Sequence, residues 1–268
     1  MAFRRFAITG IVGAGSLVMI KEYYEKSRVK ASWTTHHNTP EPSRKWDDNW
    51  DCRRPTPCKE VDSSGDKEVA VPTATRHLIL IRHGQYNLKG KQDQDRYLTE
   101  LGKEQANMTG KRLKELNYPI TKVVYSTMTR AQETGKIISS HLPEDVPVEN
   151  CSLIEEGAPI PPEPPVGHWR PEAQQFFQEG ARIEAGFRKY FHRADPNQKE
   201  ASYEVLVCHA NVIRYFVCRA LQLPPEAWLR MSLHNGSMTF ITIRPNGRVG
   251  VRAIGECGYM DPAKLSTT

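Results

Sequence analysis

Six cysteines, Cys52, Cys58, Cys151, Cys208, Cys218 and Cys257, are spread along 268 residues without a single Cys-x-x-Cys pair. That spacing excludes a zinc site built from paired cysteines. Cys208 and Cys218 fall in apolar runs, where a free thiol behaves as a small core residue, so a reducing compartment is the simpler expectation. No lysine and arginine stripe interleaved with aromatics is present, which sets nucleic acid aside although the net charge is +6. A basic balance suits acidic substrates or an anionic membrane surface equally. Long internal repeats and low-complexity tracts are absent, and so is an apolar run of full membrane-spanning length. The uncharged stretch Phe6–Ile20 would make a helix of roughly 22 Å at ~1.5 Å per residue, short of the ~30 Å hydrocarbon core.

That stretch is nonetheless best read as a marginal membrane helix. Arg4, Arg5 and Lys21 flank it and can reach the interfaces. A cleaved secretory signal fits less well, because Gly13-Ala14-Gly15-Ser16 lies inside the apolar run and not after it. No acidic residue precedes Glu22, which also resembles a mitochondrial targeting segment. The chain therefore divides into an anchor or targeting segment over 1–24, a linker over 25–73 and a folded domain over 74–268. The hydrophobic content of 38% is low for a wholly globular chain, and the polar linker accounts for it. Within the linker, Trp46-Asp47-Asp48-Asn49-Trp50-Asp51 stands out. Two tryptophans are costly to leave in water, so the segment should dock, on its own domain or on another subunit.

The domain opens on His77-Leu78-Ile79-Leu80-Ile81, a buried strand ending abruptly on Arg82-His83-Gly84. Thr99 is a plausible cap for a helix running to Asn117, whose apolar face of Leu101, Met108, Leu113 and Leu116 is weakened by Gly102 and Gly110. Lys122–Thr127 reads as a second strand that runs straight into a helix carrying Arg130. Such a junction offers free backbone N–H groups and a positive dipole end, a good setting for phosphate. Val146–Ser152 is a further short strand. Five prolines within 159–165 then make a stiff loop suited to holding the carboxylate of Glu156. A long helix from Pro171 carries Phe176, Ile183, Phe187, Tyr190 and Phe191 as core. Tyr203–Cys208 is another apolar strand, delivering His209-Ala210-Asn211 before a helix over Val212–Leu221. Ser237–Arg244 and Arg248–Ile254 pair through Pro245-Asn246-Gly247 as a hairpin. Alternating strands and helices predict an α/β three-layer sandwich, with a mainly parallel central sheet and helices on both faces.

Arg82, His83, Arg130, Glu156 and His209 thus fall at element ends, a set that suits phosphoryl transfer. Guanidiniums stabilise the charge on the transferred group, a neutral histidine can carry it covalently, and a loop carboxylic acid can protonate the leaving oxygen.

Arg82-His83-Gly84, Ser126-Thr127-Met128-Thr129-Arg130-Ala131-Gln132-Glu133-Thr134, Glu156-Gly157-Ala158-Pro159-Ile160 and His209-Ala210-Asn211 together resemble the histidine phosphatase, or phosphoglycerate-mutase-like, superfamily. Pro164-Pro165-Val166-Gly167-His168-Trp169, Ala181-Arg182-Ile183-Glu184-Ala185, His192-Arg193-Ala194-Asp195 and the Trp46–Asp51 segment narrow the resemblance to a mitochondrial branch acting on phosphoserine and phosphothreonine in proteins. The resemblance implies that His83 is the phosphorylated nucleophile, that Arg82, Arg130 and His209 bind the phosphate, and that Glu156 is the general acid. It implies no cofactor and no metal. Trp46, Asp47, Asn49, Trp50 and Asp51 would assemble the chain into dimers and higher homo-oligomers that activate it. The branch is anchored in a mitochondrial membrane, the outer one by resemblance with the inner as alternative, and a stress-pathway kinase is among its implied partners. Ser63-Ser64-Gly65-Asp66 departs from the acidic Glu-Ser-Gly-Glu motif that engages a Kelch-repeat protein, so that partner is not carried over. Competing readings are a mutase or phosphatase for small phosphometabolites, and a catalytically weak scaffold.

Overall fold

The computed structural model describes residues 44–54, 70–167, 169 and 171–267. The expected membrane segment and most of the linker lie outside them. Among the described residues no helix is long and apolar enough to cross a membrane. A compact unit spans Trp46–Thr268.

Its centre is a six-stranded sheet: β1 (Arg76–Arg82), β2 (Lys122–Ser126), β3 (Val148–Cys151), β4 (Ser202–Cys208), β5 (Met238–Ile243) and β6 (Val249–Glu256), in the order β3-β2-β4-β1-β5-β6. The first four are mutually parallel, while β5 runs antiparallel to β1 and to β6. The mixed sheet follows from connection length. Crossover helices can return a chain to a parallel strand, whereas the short Pro245-Asn246-Gly247 turn can only reverse it. Gly247 adopts φ +84°, which that tight reversal requires.

Four helices cover the sheet: α1 (Glu100–Leu116), α2 (Thr129–Ser139), α3 (Ala173–Tyr190) and α4 (Ala210–Ala220). Alternation along β1 sorts them. Leu78 and Leu80 pack with Phe187 of α3, Phe216 and Val217 of α4, and Trp228. Ile79 and Ile81 pack on the other face with Leu113 of α1 and Ala131 and Ile138 of α2. These four β1 residues are 0–1% exposed, each burial stabilising the fold by roughly 1.5–3 kcal/mol.

Two details of the expected core change. The buried face of α1 is Gly102, Gln105, Ala106, Thr109, Gly110 and Leu113, whereas Leu101, Met108 and Leu116 are half-buried. The glycines that weaken the helix in isolation are its closest contacts: a Cβ on Gly102 would collide with the Gln85 carbonyl, and one on Gly110 with the His141 ring. Phe176, expected in the core, is half-buried, its ring standing T-shaped to that of Trp169 at 5.8 Å. Elsewhere the bounds shift by a residue or two. Thr99 does cap α1, its side chain accepting from Gly102 N at 3.1 Å.

In this single chain the Trp46–Asp51 segment docks on its own domain, at the amino end of β1. Trp50 is 7% exposed and donates its indole N–H to the Gly247 carbonyl at 2.8 Å. Asp51 pairs with Arg193 at 3.1 Å, both side chains almost fully buried. The Asp47 backbone exchanges two hydrogen bonds with the Gln222 side chain, and Asn49 accepts from Arg54 N. Trp46 remains 37% exposed.

Candidate active site

The parallel register brings the carboxyl ends of β1, β4 and β2 side by side. Arg82 pairs with Cys208 and Tyr125 with Val207, so the next residues out, His83, His209 and Ser126, share one locus. The His83 and His209 rings stand 5.1 Å apart. The helix following β2 adds Arg130 from its first turn.

His83 is 2% exposed. Its Nδ1 lies 2.8 Å from the Gly84 carbonyl, which can only accept, so Nδ1 carries the proton and Nε2 keeps its lone pair. Arg130 donates its Nε–H to that same Nε2 at 3.3 Å, which requires the same tautomer. Burial first, then the charges of Arg130 and Arg82, hold the imidazole well below its usual pKa, against the pull of the Gly84 carbonyl. The ring is therefore neutral at neutral pH. Gly84 makes this geometry possible, since a Cβ there would sit 2.4 Å from the Gly102 carbonyl. Its N–H is tied to Thr134 Oγ1, and the His83 carbonyl accepts from Asn235 Nδ2.

Three buried donor or acceptor atoms of this locus lack a partner within the described chain: Arg82 Nε, His209 Nδ1 and Arg214 Nε. Arg82 commits both terminal nitrogens to backbone, donating to the Leu233 and Thr267 carbonyls at 2.6 and 2.8 Å. Burial pulls its pKa down to about 10, so it stays cationic. Fully buried His209 has Nε2 2.8 Å from Ser126 Oγ, and burial, then neighbouring His83 and Arg130, lowers its pKa well below the ordinary value. Arg130 lies 4.7 Å over the Tyr86 ring and 3.5 Å from Asp93. Unmet polar atoms in a buried cationic setting are what an anion would satisfy.

Glu156 lies on the loop that follows a 3-10 turn over Ser152–Ile154. Arg182 of α3 clamps that loop, donating to the carbonyls of Ser152, Leu153, Glu155 and Glu156. Asn211 holds the Gly157 carbonyl at 3.1 Å. The residue keeps some surface, but its carboxyl is enclosed. Burial raises its pKa, opposed by Arg130, the Gly157 N–H, Arg82 and Arg214. An acid whose pKa burial raises above the ordinary carboxylate value thus sits within the field of the same arginines that surround His83.

All five residues singled out from sequence fall at this one locus, and the Trp46–Asp51 group falls at the far end of β1. Arg182, Arg214, Tyr86, Ser126 and Asn235 were not singled out. Asn211 and Arg214 share a helix face at i, i+3 just after His209, a spacing that could have pointed to Arg214. The contacts of Arg182 are long-range and leave no local trace. No group of three or more His, Cys, Asp or Glu is placed to hold a metal among the described residues.

The model of the histidine phosphatase superfamily (branch 1) matches residues 78–157 and 163–254, and the chain belongs to that superfamily. Within it, the chain is 50% identical over 272 residues to the mitochondrial serine/threonine-protein phosphatase PGAM5 of Xenopus laevis, covering 98% of this chain and 94% of that protein. It is 54% identical over 231 residues to the human protein of the same name, covering 82% and 80%. Among solved structures, Bacillus stearothermophilus YhfR is similar in fold with a TM-score of 0.52 at 20% identity, covering 69% of this chain and 98% of that one.

Proposed function

We propose that the chain is a metal-independent protein serine/threonine phosphatase of mitochondria that works through a phosphohistidine at His83. The observation that carries this reading is the tautomer: Nδ1–H is tied to the Gly84 carbonyl, leaving a neutral Nε2 lone pair among Arg82, Arg130 and His209. The names of its relatives supply the substrate class.

In the first step Nε2 attacks phosphorus, and the bond from phosphorus to the seryl or threonyl oxygen breaks. The carboxyl of Glu156 gives that oxygen its proton. Arg130 releases Nε2 and, with Arg82 and His209, donates to the equatorial oxygens of the transferred group. In the second step the Glu156 carboxylate takes a proton from water, which attacks phosphorus. The P–N bond breaks, inorganic phosphate leaves, and the lone pair returns to Nε2. His83→Ala should abolish hydrolysis of a phosphothreonine peptide and remove the acid-labile phosphoenzyme seen on rapid quenching. Retained turnover would overturn the mechanism.

A peptide substrate is favoured over a small phosphometabolite by the relatives' names, and turnover of a phosphothreonine peptide beside phosphoglycerate tests the choice. The same reading includes a membrane anchor within residues 1–24, the outer membrane as its site, and assembly through Trp46–Asp51 onto a second copy. The groove that holds Trp50 here is complementary to the segment whichever copy supplies it. Replacing Trp46 and Trp50 by Ala should shrink the oligomer and lower activity, and an unchanged elution volume would count against assembly through this segment.

A further inference from the structure

A cavity of about 320 Å³ is lined by Val166, Trp169, Asn211, Trp228 and Leu229. Of its two tryptophans, Trp169 keeps accessible surface and Trp228 does not. Trp228 is fully buried with its indole N–H bonded to the Ile160 carbonyl at 2.9 Å, and Trp169 stands edge-on to it at 5.7 Å, braced in turn by Phe176. Asn211 is the polar wall, and both its side-chain ends are engaged: Nδ2 donates to the Gly157 carbonyl and Oδ1 accepts from Arg214 Nη1 at 3.4 Å. Gly157 directly follows Glu156, so Asn211 ties the cavity wall to the loop that carries the group protonating the leaving oxygen.

The phosphate end of the site is closed, with Arg82, His83, Arg130 and His209 all at most 7% exposed. Of the half-buried residues around the locus, which also include Tyr86 and Arg214, Glu156 and Asn211 mark the edge where the leaving oxygen is protonated. The leaving oxygen belongs to the serine or threonine of the substrate, so the residues flanking it pass along this edge. Among the described residues none that lines the cavity is charged, and its volume is at the low end of the ~300–1,000 Å³ of ligand pockets. That is room for one large side chain and not for a folded element.

We propose that this cavity is a substrate subsite that takes an apolar side chain flanking the phosphoserine or phosphothreonine. The proposal rests on the protein-phosphatase reading and adds to it a sequence preference around the scissile phosphate. The phosphorylated residue is gripped by its charge, and the neighbour by shape and apolar burial, so selectivity comes from the second contact.

The test uses the full chain and a set of phosphothreonine peptides in which one leucine is walked through the flanking positions of an alanine-rich sequence. One position should raise kcat/KM by about 10-fold over alanine, the scale of apolar pocket discrimination. Val166→Trp, which fills the cavity, should erase that gain while hydrolysis of acetyl phosphate, too small to reach the subsite, is kept. Trp169→Ala, which enlarges the cavity, should move the preference from leucine to tryptophan. Equal rates for leucine and alanine at every position, or a gain indifferent to both substitutions, would overturn the subsite. Acetyl phosphate turnover without hydrolysis of any phosphopeptide would instead overturn the protein-phosphatase reading, and the subsite with it.

Discussion

The two ends of β1 make opposite use of buried charge. At the amino end every buried cation meets a carboxylate: Arg76 pairs with Glu204 at 2.6 Å and Arg193 with Asp51 at 3.1 Å. At the carboxyl end, about 20 Å away at ~3.3 Å per residue, Arg82 is held only by carbonyls, Arg214 by an amide oxygen, and Arg130 reaches a carboxylate at 3.5 Å. Compensated charge fixes a structure, whereas uncompensated charge is a standing demand for an anion. One strand therefore carries a structural end and a chemical end, and substitutions at the two should fail in different ways.

The sharpest break in that contrast comes from Glu156. Glu156→Gln should cost ~10²–10⁴-fold in kcat/KM on a phosphothreonine peptide, whose leaving group needs a proton. It should cost far less in kcat/KM on an aryl phosphate, so that a plot of log kcat/KM against leaving-group pKa steepens. Equal losses on both substrates would reassign the residue.

Asp51→Ala tests the other end. It strands the Arg193 guanidinium, 2% exposed, without its carboxylate, at a cost of about 3–5 kcal/mol. The melting temperature should fall by roughly 6–20 °C at ~2–4 °C per kcal/mol, while the leaving-group dependence of kcat/KM stays that of the parent. A change in that dependence would mean that the two ends are chemically coupled.

The smallest expected effect is a shift in a pH profile. The general acid must be protonated for phosphoryl transfer to His83, so kcat/KM falls as pH rises through the pKa of Glu156. Burial raises that pKa, and Arg130, the Gly157 N–H, Arg82 and Arg214 lower it. Arg214→Gln removes one of the opposing charges, so the pKa rises further and the alkaline limb of kcat/KM moves to higher pH. A limb that stays put, or moves down, would disconnect Arg214 from Glu156.

Residues at the ends of apolar strands were legible because strand and residue are contiguous: Arg82-His83 and His209 announce themselves where an apolar run stops. Glu156 was legible through the stiff, proline-rich stretch beside it. The clamp of Arg182 on four carbonyls was not, because the partners are separated by about thirty residues and any surface helix carries arginines. The α1 face was misjudged for a related reason. Hydrophobicity marks what avoids water, whereas Gly102 and Gly110 are buried because another backbone or ring comes too close for a side chain. The two possible berths for Trp50 could not be told apart from composition, since burial demands a groove without saying whose.

Every residue of β1 from Arg76 to Ile81 is paired to β4 on one side and to β5 on the other. Its amide protons can reach deuterated solvent only when the whole sheet comes apart, and should be the last in the domain to exchange. The nucleophile follows directly on the strand expected to exchange most slowly. Whatever motion admits a substrate or releases phosphate then belongs to the loops around His83, and the loop from Gly157 onward should take up deuterium orders of magnitude sooner than the strand beneath it.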